Sequence, residues 1–229
     1  MQKTILIFFI IINSFFVFGQ DTILANRTFF GLSSHPTKVM VVDSLKELPT
    51  RIQFIINQLL DTAMTDFKQN IKFSHGQIID LDYWARKDSI FFPMEYRYVV
   101  PKYQLYFDLR DTAISVKNYS FELGLDQYGQ ITCFEWPREN YNKRNKFVKG
   151  SRILKEAIKY AKAHKYKTQD FIYEFRYNNE LEKMCWEISF LQKSVGNQYN
   201  FSKDYVTLLF DATSLTFLQE YGTSVSASN

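Results

Sequence analysis

Tyr103-Gln-Leu-Tyr-Phe-Asp-Leu-Arg110 alternates apolar and polar residues from end to end, apart from the amphipathic ring at position 106. On an extended chain this puts Tyr103, Leu105, Phe107 and Leu109 on one side, and Gln104, Tyr106, Asp108 and Arg110 on the other. The pattern recurs in Tyr119, Phe121, Leu123 and Leu125, set against Ser120, Glu122 and Asp126. Two such runs in succession predict an antiparallel sheet with one face on a core and the other in water. Composition agrees, since 22 Phe and 15 Tyr among 229 residues favour strands. Further strands are expected at 77–84, 95–100, 131–136, 171–177, 184–191, 205–211 and 216–221. Tight turns are expected at Asp126-Gln-Tyr-Gly129 and Asp211-Ala-Thr-Ser214.

Two segments have helical rather than strand periodicity. Ile52, Ile55, Ile56, Leu59, Leu60, Ala63, Met64 and Phe67 recur at three- and four-residue steps and predict an amphipathic helix from Pro49 to Gln69. Ser44 and Glu47 resemble a capping box, but Pro49 does not fit inside a helix begun there, so a short turn is expected before it. A second helix is expected after Gly150, with Ser151 as N-cap, an apolar face of Ile153, Leu154, Ala157, Ile158 and Ala161, and Lys155, Lys159 and Lys162 in solvent. Each helix needs a sheet to cover its apolar side.

In chain order these elements form a repeated plan of one helix followed by about four strands. The expected organisation is a signal segment at 1–19, a first α+β unit with an N-terminal extension at 20–136, a basic linker at 137–150, a second unit at 151–221 and a frayed tail at 222–229. The run Ile153 to His164, Phe171-Ile-Tyr-Glu-Phe175, Cys185-Trp-Glu-Ile-Ser-Phe190 and Tyr205-Val-Thr-Leu-Leu-Phe-Asp-Ala-Thr213 resembles the secreted PepSY and PepSY-like modules. The doubled plan also looks like the tandem architecture of β-lactamase-inhibitor proteins. Leu215 stands where the PepSY-like pattern usually has Gly. The resemblance implies an α+β fold of PepSY-like or cystatin-like units, each with one helix on one face of a four-stranded antiparallel sheet. It also implies a non-catalytic module that binds or restrains another exported protein, often a peptidase.

Export is expected from the first residues themselves. Lys3 precedes an apolar run from Ile5 to Phe18 that ends at Gly19, the pattern of a cleaved signal with Gln20 as the new terminus. The run falls short of the roughly 20 residues that a membrane-spanning helix requires, and no stable membrane insertion is expected after cleavage. Loss of Lys3 leaves 27 basic and 24 acidic side chains, a net charge of +3 that favours no nucleic-acid or membrane partner.

Catalytic and metal-binding patterns are sparse. The three histidines, His35, His75 and His164, lack ligand spacing to another His or to Cys, so no metal or cofactor is expected. His164 suits the end of the second helix. The sequence contains no Gly-rich phosphate loop, Gly-x-Ser-x-Gly elbow or His-Glu-x-x-His run. His75 with Asp80 or Asp82 is the one acid–base grouping that would suit a hydrolase, and a solvated strand face explains the same spacing. A carrier holding a small apolar ligand between helix and sheet is a further alternative. Cys133 and Cys185 each alternate with a glutamate on a strand and either join the two units in a disulfide or remain free thiols. The segment from Arg138 to Lys149 is basic and polar, as a solvated linker should be. The water-facing side of a sheet is the expected binding surface, with Trp84, Tyr106, Asp108 and Arg110 as its contact residues and Trp136 and Trp186 in the core.

Overall fold

A computed structural model of the chain describes residues 38–82, 101–137, 141–196 and 201–227. Within them the fold is mixed α+β, with two helices and two antiparallel sheets. The first sheet holds β1 (Val39–Val42), β2 (Ile71–Ile79), β3 (Tyr103–Asp111), β4 (Val116–Leu125) and β5 (Ile131–Phe134) in sequential order. The second holds β6 (Phe171–Asn178), β7 (Lys183–Gly196), β8 (Phe201–Asp211) and β9 (Phe217–Ala227), also in order. Helix α1 (Thr50–Ala63) precedes most of the first sheet, and α2 (Gly150–Ala163) precedes the second.

The alternation in β3 and β4 holds. Leu105, Phe107 and Leu109 of β3 and Phe121, Leu123 and Leu125 of β4 are buried, with Phe107 and Phe121 directly opposed and their rings stacked 5.4 Å apart. Both expected turns form. Asp126 Oδ1 accepts from the backbone N–H groups of Tyr128 and Gln130, and Gly129 takes φ +83°. Asp211 Oδ1 accepts from the Thr213 N–H in the same way.

Several boundaries differ from those expected. The strand expected at 77–84 is β2, which begins at Ile71 and ends at Ile79. A register shift between Phe73 and His75 moves the core-facing positions from odd to even residue numbers, which breaks the alternation a strand would show. β1, in the N-terminal extension, was not foreseen and adds a fifth strand to the first sheet, where four were expected. Helix α1 ends at Ala63 rather than Gln69, because the Trp136 indole Nε1 donates to the Ala63 carbonyl at 3.1 Å and satisfies one of the acceptors a helix end leaves open. Helix α2 starts at Gly150 with Lys149 as N-cap, and the Ser151 side chain does not cap it. Gly150 lies against Trp186, and a Cβ there would sit 2.6 Å from indole Cζ2. The segment expected to fray at Gly222 continues β9 to Ala227, since the ladder to β8 runs as far as the Phe201–Ala227 pair and a backbone ladder needs no apolar side chains. The strand expected at 95–100 lies outside the described residues.

One hydrophobic core joins both halves. Phe175 of β6 is its hinge point, with ring centroids 5.4 Å from Tyr119, 5.9 Å from Phe147 and 6.4 Å from Trp136. The linker expected in solvent supplies part of this core, because Tyr141 and Phe147 are each only 8% exposed. Arg144 lies between them. Its Nε donates to Asp111 Oδ2 at 2.8 Å, its backbone N–H to Asp66 Oδ2 at 2.9 Å and its guanidinium to the Asp66 carbonyl at 2.7 Å. Arg144 therefore anchors the linker instead of decorating its surface.

Candidate functional site

The candidate site is the face of the first sheet turned away from its core. Pairing across β2, β3 and β4 sets His75, Tyr106 and Glu122 in one row and Lys72, Asp108 and Ser120 in another. The expected residues Tyr106, Asp108 and Arg110 share this face, with Arg110 exposed and the other two half-buried. Trp84, expected beside them, lies outside the described residues.

His75 lies nearly flat on Tyr106, with ring centroids 4.7 Å apart and planes inclined by 17°. Tyr106 hydrogen-bonds to Glu122 with its hydroxyl, and Gln104 Nε2 donates to the same carboxylate at 3.0 Å. Burial, followed by the nearby Glu122 charge, pushes the Tyr106 phenol up to about 12, so it remains a donor across the physiological range. Burial also raises Glu122, reinforced by the Glu135 charge and opposed by the hydrogen bonds from Gln104 and Tyr106. Farther along, Arg110 Nε donates to Asn118 Oδ1 at 3.1 Å, Asn118 to Ser120 at 3.3 Å and Ser120 to Asp108 Oδ1 at 2.5 Å. These contacts fix the polar side chains in place before any partner arrives, which lowers the entropy cost of binding.

The histidine and acids proposed for hydrolysis are not brought together. His75 sits mid-strand with Nδ1 3.2 Å from Ser74 Oγ, whereas Asp80, just past the end of β2, is 3.4 Å from Lys38 Nζ. Five residues of extended chain separate them by about 16 Å. Asp82 is exposed two residues further on. His164 ends α2, its Nδ1 2.9 Å from the Tyr160 carbonyl. Trp136 and Trp186 are core residues, 1% and 2% exposed. Cys133 and Cys185 are both free thiols, and burial, followed chiefly by neighbouring carboxylates, pushes each up to about 12. Among the described residues no group of three or more His, Cys, Asp or Glu is placed to hold a metal, and no helix is long and apolar enough to cross a membrane.

Lys72 and His75 join this face through strand register, which single-strand patterning does not reveal. Glu122 was legible, because the alternation from Tyr119 to Leu125 already put it on the polar side. Comparison with known protein families, with well-described proteins and with solved structures finds no match.

Proposed function

We propose that this chain is an exported, non-catalytic binding module built as a tandem pair of PepSY-like units, and that it occupies the surface of another exported protein such as a peptidase. The observation that carries this reading is the His75–Tyr106 stack, set beside Lys72, Asp108, Arg110, Ser120 and Glu122 on the sheet face turned away from the core. Aromatic and arginine side chains among polar neighbours are the usual anchors of protein interfaces. Such a module acts by occlusion and makes or breaks no bond.

Affinity capture with the mature chain, from envelope and medium of the producing cells, tests the proposal. Wild type should recover a defined partner, and Tyr106→Ala or Arg110→Glu should reduce recovery at least about tenfold. Equal recovery by both folded variants would rule this face out. Inhibition is then read directly from the recovered partner's activity with and without the module.

A further inference from the structure

A second site lies where the two sheets meet. β4 pairs with β5 only at Leu123–Leu125, so among the described residues its first half has no partner strand on that side. β6 is an edge strand of the second sheet. The two open edges border one cleft of about 350 Å³, lined by residues 115–120 of β4 and its turn, by residues 173–177 of β6, and by Glu135 and Trp186. That volume is at the lower end of the ~300–1,000 Å³ typical of small-ligand sites.

The strand registers show which backbone groups face this cleft. The Glu122 N–H donates to Glu135 Oε2 and its carbonyl accepts from the Glu135 N–H, so both groups of Glu122 point towards β5. Ser120, two residues earlier in an unshifted register with β3, points its N–H and C=O to the same side, beyond the end of β5. In β6 the Asp170 carbonyl accepts from Leu191, so even-numbered residues face β7, and Tyr173, Phe175 and Tyr177 turn their backbone groups outward. The outward backbone groups of Ser120 thus confront a row of main-chain donors and acceptors on β6, with no backbone partner among the described residues.

The side chains complete a groove rather than a flat seam. Tyr119 and Phe175 meet edge-on at 5.4 Å along its floor, and Tyr173 bridges its end by donating to the Ser115 carbonyl at 3.1 Å. Trp186, in the lining and 2% exposed, has a buried indole N–H with no partner among the described residues. Lys117 and Glu174 put opposite charges on opposite walls.

We propose that this cleft binds a short peptide in extended conformation, held by main-chain hydrogen bonds to Ser120 on one side and to Tyr173, Phe175 and Tyr177 on the other. Exposed strand edges recruit extended peptides in this way, and main-chain pairing requires a ligand with alternating amide donors and acceptors. The site borders the Tyr106 face, because Ser120 gives its side chain to that face and its backbone edge to the cleft.

The test titrates the mature protein with an equimolar mixture of tetrapeptides, acetylated and amidated in one arm and carrying a free C-terminus in the other. Amide resonances of Ser120 and Phe175 are followed by NMR. These two amides should shift and their hydrogen exchange should slow at least tenfold, while the His75 and Tyr106 amides stay unchanged. Stronger binding in the free-terminus arm assigns the ligand as a chain end, and equal binding assigns it as an internal segment. Ser120→Pro removes the outward N–H together with the hydroxyl that donates to Asp108, so it is read against Ser120→Ala, which removes the hydroxyl alone; the proline variant should bind at least tenfold more weakly than the alanine one. N-methylated tetrapeptides should fail to bind unaltered protein, which tests main-chain pairing even if Ser120→Pro misfolds. Unshifted amides at millimolar peptide, or undiminished binding of N-methylated peptides, would overturn the proposal.

Discussion

Asp111 and Asp211, one in each half, are held in contrasting ways. Each ends a strand, is almost fully buried at 2% and 5% exposed, and accepts from a backbone N–H two residues ahead. Asp111 takes its cation from elsewhere in the chain. Arg144 reaches it from the segment between the halves at 2.8 Å, and Asn70 donates to the same oxygen at 2.8 Å. Asp211 is served from within its own sheet, by Lys183 on β7 at 3.0 Å and by the Thr213 hydroxyl at 2.6 Å. The same turn chemistry thus ties the halves together in one case and closes a single hairpin in the other.

The largest effect should come from breaking the long-range tie. Arg144→Met leaves Asp111 buried without its cation and should destabilise the protein by roughly 2–3 kcal/mol, less than the ~3–5 of a fully buried pair because Arg144 is 38% exposed. Thermal unfolding should show a fall in Tm of roughly 5–10 °C, partly restored by adding Asp111→Asn. A fall under 1 °C would mean that the linker is held by its aromatic residues alone. Lys183→Met should cost less, about 1 kcal/mol, because Lys183 is 43% exposed and Asp211 keeps its Thr213 donors. Urea titrations of the two variants side by side decide whether the long-range tie outweighs the local one.

Acid sharpens the same comparison. Burial alone would raise Asp211, but the Thr213 hydroxyl and N–H and the Lys183 ammonium outweigh it and hold the carboxyl below its ordinary value of 3.8. The Arg144 N–H bond is the main cause that lowers Asp66. Carboxyls depressed in the folded state contribute stability that is complete above the unfolded pKa and is lost as pH falls through the folded one. Stability should therefore fall as pH drops below about 4, and Asp211→Asn should flatten part of that slope. An unchanged slope would assign the acid sensitivity to other carboxyls. The smallest effect concerns the thiols. With both pushed up to about 12, Cys133 and Cys185 should resist iodoacetamide at pH 8 in folded protein and react at once in urea.

The sequence revealed elements whose burial has a simple period. The apolar stripe of α1 and the alternation in β3 and β4 needed no knowledge of neighbours, and the same alternation placed Tyr106, Asp108 and Arg110 on one face. Features decided by distant contacts were hidden. The bulge in β2 moved that strand and concealed Lys72, the fit of Gly150 beneath Trp186 set the start of α2, and the anchoring of Tyr141, Arg144 and Phe147 in a basic, polar run depends on partners 28 or more residues away in the chain. The far ends of β7, β8 and β9 were missed for another reason. Both helices have 14 residues, as does β7. A 14-residue helix is about 21 Å long and a 14-residue strand about 46 Å, so the second sheet must overshoot its cover with polar, two-sided strand that has no readable period.

Phe175 also imposes an order on events as the polypeptide emerges from its N-terminus. The ring that seals the surroundings of Trp136 and Tyr119 is supplied by the second half, so the earlier half remains unfinished until β6 has been delivered. A stalled nascent chain ending before that strand should keep the Trp136 indole wet, and release of a few dozen further residues should remove that signal in a single late step.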